Sequence, residues 1–426
     1  MRRSVIIIGA GAAGLQAARR LSGAGYSVTV LEAGAIAGGR ILTLPSGGPG
    51  GFSVTVEGGA EFIHGELPLT LGLAREAGVG LEPVASQMVR VEAGKKEQQP
   101  LSPDWDALFK RMAMLSEDMP FADFLSRYFS DDRYASLRDA AGRMAEGYDL
   151  ADLRKASTLS LYREWSAEGD EEEYRPVGGY QRLIDFLVEQ CRRQGCVLHF
   201  STSVSGVRWE RGKVVVEAAG AGVFQAERLL TTVSLGVLKS GGIRFSPGLP
   251  AAQQGAIDAL GYGSVIKVLL EFDQPFWSER KKSGKTLFVL SDERVPTWWT
   301  QPADDCPLIT GWLSGERLSA FQALDAGARI ESALLSLAAI FGPDIASLRG
   351  RMKASMILDW ETAPAVLGGY SYDTVGAPDA RRLLKEPLED TLYFAGEGLY
   401  EGEVPGTVEA AFSSGATVAD KIIAQP

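Results

Sequence analysis

"SVIIIGAGAAGLQAARRLSGAGYSVTVLE", residues 4–32, decides the fold. It opens on a short β-branched, apolar run, the composition of a central parallel strand buried on both faces. Gly9, Gly11 and Gly14 follow with the spacing GxGxxG, and then "LQAARRLSGAG" reads as a helix that stops at glycine. A second strand, "YSVTVLE", ends on the acidic Glu32. This is the βαβ unit that binds a dinucleotide. Gly9 permits the tight turn, Gly11 lets pyrophosphate approach the backbone, and Gly14 lets helix and strand pack closely. The helix N-terminus offers unpaired N–H donors to the anion. Glu32 can accept hydrogen bonds from the adenosine ribose, which disfavours a cofactor carrying a 2′-phosphate.

NAD and FAD both satisfy that unit. The stretch "AGGR", residues 37–40, favours FAD: a second glycine pair followed at once by Arg40 suits a cofactor whose phosphates and isoalloxazine extend past the first turn. At 426 residues the chain exceeds what one core normally serves, so two domains are expected, either of them discontinuous. An apolar share of 45% and a charged share of 23% are those of a globular enzyme. The formal charge of -11 argues against nucleic acid as a partner and gives a mildly attractive field for cationic substrates. Three cysteines and two histidines provide neither a disulfide framework nor a metal site, and a reducing, cytoplasmic home is expected. Glycines break the apolar N-terminal run at once and no run of about 18 or more apolar residues occurs, so no membrane span is expected.

Along the chain, residues 68–161 read as mostly helical. Short strands follow at "VLHF", "SVSGVRW", "KVVVEAA" and "ERLLTTV". The region 249–360 alternates strands with one long helix, "ARIESALLSLAAIF", and the end returns to strand, glycine-rich turn and helix. The pattern is α/β. Within it "GYGSVIKVLLEF", residues 261–272, is a buried-strand sequence with Lys267 in its middle, a residue type that is rarely buried without a partner.

Together with "GGAEFIHG", "GGYQRLIDFL", "TTVSLGVLKSGGIRFSPGLP" and "LYFAGEGLYEGEVPGTVEAAFSSGATVA", these stretches resemble the flavin-containing amine oxidases, the family of monoamine oxidases, polyamine oxidases and flavin-type histone lysine demethylases. The resemblance implies a discontinuous Rossmann-like FAD-binding domain (1–78, 176–247 and 364–426) and an α+β substrate-binding domain (79–175 and 248–363), in a glutathione-reductase-like arrangement. It implies hydride transfer from an amine C–H to flavin N5, reoxidation by O₂ giving H₂O₂, and an imine hydrolysed to aldehyde or ketone plus amine. By motif, Arg40 would meet the cofactor phosphates, Val204 the adenine, and Glu397 of "FAGE" the ribityl–pyrophosphate region. Val408 would face the flavin pyrimidine, and Gly39, Gly59, Ala60, Glu61, Gly396 and Thr407 would complete the cofactor contacts. Lys267 would reach flavin N5 through a water.

Monoamine oxidases attach FAD through a cysteine before a tyrosine. Here the pair is Gly369 and Tyr370, so FAD is expected to be noncovalent. Tyr370 would form one wall of the cage before the flavin, Thr407 stands where the second wall would be, and Trp360 would line the pocket. Glu61 and His64 are candidates to bind the amine nitrogen. Trp298 and Trp299 are channel candidates, and Glu171, Glu172 and Glu173 could attract a distal ammonium or simply form a solvated charge run. The expected partners are a small-molecule amine, on the polyamine-oxidase or demethylase side, and O₂. An L-amino-acid oxidase, which would need an arginine such as Arg294 or Arg317 for the substrate carboxylate, a desaturase of the same fold, and a silent redox-sensing flavoprotein are the rival readings.

Overall fold

The computed structural model describes residues 3–92, 95–97, 104–167 and 172–425. Five parallel strands form the first sheet, in the order Val197–His199, Ser27–Leu31, Ser4–Ile8, Arg228–Thr231, Leu392–Phe394. The apolar runs of the three strands Ser4–Ile8, Arg228–Thr231 and Leu392–Phe394 are buried on both faces. Helices Ala12–Gly23, Gln181–Arg193 and Val408–Ala424 cover one face through Leu15, Leu21, Leu183, Leu187 and Phe412. A four-stranded sheet covers the other, packing Val207, Val214 and Val216 on Ile6 and Ile8. The helix Gln181–Arg193 ends in a Schellman turn: Cys196 N–H donates to Cys191 O at 2.9 Å and Gly195, at φ 85°, donates to Arg192 O at 3.0 Å. Both cysteines are buried there as small apolar groups closing the turn.

The second sheet has seven strands, in the order Met352–Asp359, Val265–Phe272, Leu308–Ser314, Thr297–Thr300, Thr286–Ser291, Ser86–Glu92, Lys95–Glu97. All pairs are antiparallel except Thr286–Ser291 with Ser86–Glu92. One face packs on the long helix Ala326–Phe341 through Ile266, Val268, Leu270 and Trp298. The Asp325 carboxylate caps that helix by accepting Ala328 N–H at 2.8 Å. Four further helices between residues 105 and 167 enclose Trp105, Phe121, Phe124 and Trp165.

The architecture is therefore α/β with a Rossmann-like sheet and an α+β second unit. One expectation is refined: residues 68–161 carry helices for most of their regular structure, but Leu81–Pro83, Ser86–Glu92 and Lys95–Glu97 are strands. "SQMVRVE" alternates in the strand period, with Val89 and Val91 packed into the core of the second sheet. The three-stranded sheet of Ile63–His64, Glu173–Pro176 and Leu81–Pro83 ties together segments on both sides of the boundaries expected at 78/79 and 175/176. Among the described residues no single helix is long and apolar enough to cross a membrane, and no cluster of His, Cys, Asp or Glu could hold a metal ion.

Glu57 fastens this junction to the helix Gln181–Arg193. It accepts Tyr180 N–H at 2.7 Å and the Thr43 hydroxyl at 2.8 Å. Burial pushes its pKa up to about 7, against the pull of those two hydrogen bonds. A carboxyl whose folded pKa lies above its unfolded value of about 4.3 folds best when protonated. Its stabilisation is complete below the unfolded value and is lost as pH rises towards 7. Glu57→Gln, which keeps an acceptor for Tyr180, is expected to flatten the fall in melting temperature between pH 5 and pH 8. A melting curve series in that range, identical in slope for the two proteins, would refute this.

Candidate active site

The cofactor cradle begins where the first strand turns into its helix. Gly9 sits at φ 105° and donates to Leu31 O at 2.8 Å. A Cβ on Gly14 would lie 2.0 Å from Gly9 O, so close packing demands glycine there. A Cβ on Gly11 would meet only Gly38 O, at 3.8 Å, leaving open space before the helix N-terminus. That is the space a pyrophosphate needs. The AGGR loop closes over this turn: Gly38 N–H donates to Ala10 O at 3.0 Å, and Gly39 stands beside Gly11. Glu32 accepts Ala10 N–H and Gly34 N–H, each at 2.7 Å, one on each oxygen. Every carboxylate oxygen has a second lone pair, so Glu32 retains acceptor capacity for a ribose. Thr202 N–H donates to Glu32 O at 2.7 Å, which brings the edge at Val204, itself buried against Ile8 and Leu31, next to this acid.

At the other end, Val408 begins the last helix and Thr407 is its N-cap, accepting Ala410 N–H at 3.1 Å and donating to Val404 O at 2.8 Å. Thr407 therefore orients the helix. Gly396, at φ 148°, donates to Ser414 of the same helix at 3.0 Å. Arg40 donates to Glu397 at 2.6 Å and to Gly369 O at 2.7 Å. Glu397, buried, also accepts the Ser371 hydroxyl at 2.6 Å. Its carboxylate thus holds Arg40 and the segment carrying Tyr370. The turn, the acid, the open helix end and the Arg40 loop fit a flavin dinucleotide.

Lys267 is answered by the second sheet. Every residue of Val265–Phe272 is buried, but alternate side chains face opposite ways. Ile266, Val268 and Leu270 enter the helix-covered core, whereas Lys267, Leu269 and Glu271 face the loops between residues 42 and 61. Glu271 accepts Ser53 N–H at 2.7 Å. Lys267 donates to Glu61 at 2.7 Å and to Gly59 O at 3.1 Å, with 1% of its side chain exposed. The strand register sets Trp312 opposite Lys267, and Trp299 and Phe288 lie on the same face one pair further along, in the row of Leu269 and Thr310. Trp298, one position away, faces the other core and donates to Val295 O, so of the two tryptophans only Trp299 faces the site.

Glu61 is the hub of this wall. Besides Lys267 it accepts from Arg175 at 2.6 Å and from Trp299 Nε1 at 3.1 Å. Burial alone would push its pKa up; the Coulomb attraction of Lys267 and Arg175 outweighs that and holds it below the ordinary carboxylate range. This corrects the expectation that Glu61 binds the amine, because its oxygens are already engaged by two cations. Ala60 N–H donates to Arg40 O at 3.0 Å, linking the hub to the cofactor loop.

Before Lys267 the aromatic residues form a circuit of ring contacts that a hydroxyl-to-backbone hydrogen bond closes. Trp299 lies 6.0 Å from Trp312 and 6.0 Å from Phe62 between ring centroids. Phe62 lies 6.0 Å from His64, and His64 lies 6.3 Å from Tyr148. Tyr148 O accepts the Tyr370 hydroxyl, and Tyr370 stacks on Trp312 at 6.4 Å. His64 is held through Nδ1 by Glu173 at 2.9 Å, so that acid belongs to the ring and not to a solvated run. Glu172 accepts the Tyr174 hydroxyl, and Glu171 lies outside the described residues. Trp360 borders the row by donating to Gly58 O at 3.2 Å. Arg317 donates to Glu293 O, away from the circuit. Arg175, Trp312, Phe62 and Phe288 were not singled out from sequence.

Comparison with known proteins agrees with this geometry. Over 445 residues the chain is 30% identical to "Lysine-specific histone demethylase 1 homolog 2" of Arabidopsis thaliana, covering 99% of this chain and 58% of the relative. It is 25% identical to "Lysine-specific histone demethylase 2" of Homo sapiens, covering 99% of this chain and 53% of the relative. The chain thus spans somewhat over half the length of these curated relatives. In fold it is similar to putrescine oxidase bound to putrescine, with TM-score 0.81, 23% identity and full coverage of both chains. It is likewise similar to cyclohexylamine oxidase from Brevibacterium oxydans IH-35A, with TM-score 0.78, 22% identity, and coverage of 99% of this chain and 100% of that one. Residues 12–423 match the flavin containing amine oxidoreductase profile, and the chain belongs to that family.

Proposed function

We propose that this chain oxidises a small-molecule amine at the carbon beside its nitrogen, giving an imine that water hydrolyses, with O₂ as acceptor and H₂O₂ as product. Bound FAD would supply the two-electron acceptor. The observation that carries the reading is the buried Lys267 ammonium, tied to Glu61 next to the Arg40 loop and bordered by a circuit of aromatic residues.

Contact with these rings would desolvate a bound amine and disfavour its ammonium form, which leaves a nitrogen lone pair free. The ring faces offset part of that cost through cation–π attraction while the substrate enters as a cation. Glu61, its charge compensated by Lys267 and Arg175, offers no free negative charge to trap the ammonium. Two of the three Lys267 N–H bonds are used within the protein, and the third is left to orient water or oxygen. The open end of the last helix adds positive potential where reduction accumulates negative charge. The relatives' names and the putrescine-bound neighbour support an amine as the substrate class.

The experiment is a panel run with FAD-loaded protein: putrescine, spermidine, spermine, N-acetylpolyamines, aromatic and alicyclic monoamines, an N-methyl-lysine peptide and L-amino acids. Peroxide release with at least one amine, and anaerobic bleaching of the flavin by the same compound, is expected. Neither signal with any amine, or bleaching by L-amino acids alone, would overturn the reading.

A further inference from the structure

We propose that Glu61 is a positioning residue: its carboxylate, rather than the lysine side chain itself, determines where the Lys267 ammonium stands. The proposal rests on the assignment of Lys267 to the reacting edge of the cofactor and deepens it.

A strand fixes the Cα of a lysine and little more, since the four-carbon stem retains about 2 kcal/mol of rotamer entropy. The head group has to be held from outside. Here both internal acceptors of Lys267 come from one short segment: Gly59 O at 3.1 Å and Glu61 Oε2 at 2.7 Å. Two fixed N–H bonds on a tetrahedral nitrogen fix the direction of the third.

Glu61 is in turn unable to swing away. Its Oε1 is held by Arg175 at 2.6 Å, by Trp299 at 3.1 Å and by Gln301 at 3.5 Å. Arg175 is itself pinned, donating to Gln301 Oε1 at 2.5 Å with its guanidinium 4.5 Å from the Phe62 ring centroid. The segment is anchored on both flanks, because Ala60 N–H donates to Arg40 O and Gly58 O accepts from Trp360. Arg175 and Glu61 cancel each other's charge, so the cluster's one net positive charge is the ammonium that the clamp holds in place. Charge and position are thereby separable: Lys267 carries the first and Glu61 supplies the second.

The double variant Glu61→Gln with Arg175→Gln tests this, because it removes one negative and one positive charge together and leaves the net charge unchanged. FAD-loaded wild type, Lys267→Met, the double variant, and the double variant in the Lys267→Met background are compared. The flavin is reduced anaerobically with dithionite, so no amine is needed and the test stands apart from the substrate panel. O₂ reoxidation rates and the flavin midpoint potential are then measured. Positioning predicts reoxidation slowed by about tenfold or more in the double variant, a potential displaced towards that of Lys267→Met, and no further change when the double variant is added to Lys267→Met. Wild-type rate and potential in the double variant would overturn the proposal, and so would an equal loss in the Lys267→Met background, which would mean that Glu61 acts through the fold. If the double variant does not fold, Glu61→Asp keeps the charge but is one methylene too short for both cations. It is expected to slow reoxidation with the net charge intact, and a wild-type rate there would equally overturn the proposal.

Discussion

Lys267→Met is expected to leave FAD bound and to slow flavin reduction or reoxidation by about 10²–10³-fold, the cost of losing one preorganised charge where charge develops. Methionine replaces the apolar stem, so the packing of Val265–Phe272 survives. Breaking a buried ion pair ordinarily costs about 3–5 kcal/mol because it strands the remaining charge. Here Glu61 keeps Arg175 at 2.6 Å and Trp299 as partners, so the stranded charge is still compensated and the stability loss should fall below that range. The substitution therefore separates chemistry from folding. Stopped-flow traces of the two half-reactions, with the flavin spectrum as a check on occupancy, give the result. Rates within about threefold of wild type in both halves would remove Lys267 from the mechanism.

Why Lys267, Glu61 and Trp299 could be singled out from sequence while Arg175, Trp312 and Phe288 could not is a matter of range. The dinucleotide turn is local: Gly9, Gly11, Gly14 and Glu32 are placed by one strand–helix–strand unit, and the steric demand at Gly14 arises from Gly9 itself. Lys267 was visible as an anomaly, a charge in a run of valine, isoleucine and leucine. The aromatic residues on its face, Trp312, Trp299 and Phe288, come from three other strands, and only the pairing register puts them on one face. Arg175 sits at the end of an acidic run and looks like part of a charged surface until Glu173–Pro176 pairs with Ile63–His64 and turns it towards Glu61. Thr407 carries a local signal as well as the resemblance, since a threonine directly before a helical run is an N-cap. The strands of 81–97 were missed for a related reason, since Ser86–Glu92 is stabilised by its parallel partner Thr286–Ser291, some two hundred residues later.

The same long-range logic makes Gly59 the position where the smallest change should do the most damage. A Cβ there would lie 1.9 Å from Arg40 O and 2.8 Å from Arg40 C, both backbone atoms that no rotamer change can move aside. Gly59→Ala must therefore push residues 58–61 away from Arg40–Leu42. That displacement breaks the Ala60 N–H to Arg40 O bond, shifts Arg40 on the cofactor side, and carries Gly59 O and Glu61 away from Lys267 on the other. Overpacking of this kind costs about 1–3 kcal/mol in stability, with the upper end expected where backbone meets backbone. The functional loss should be larger than the stability loss, because one displacement loosens the phosphate-side loop and the ammonium clamp together. The expected result is a protein that purifies with little or no yellow colour, binds added FAD at least about tenfold more weakly, and, once saturated, reoxidises as slowly as Lys267→Met. Titration of apoprotein with FAD, followed by reoxidation of the saturated variant, tests the two halves separately. A Gly59→Ala protein with wild-type FAD affinity and wild-type reoxidation would mean that the 58–61 segment does not join cradle to clamp.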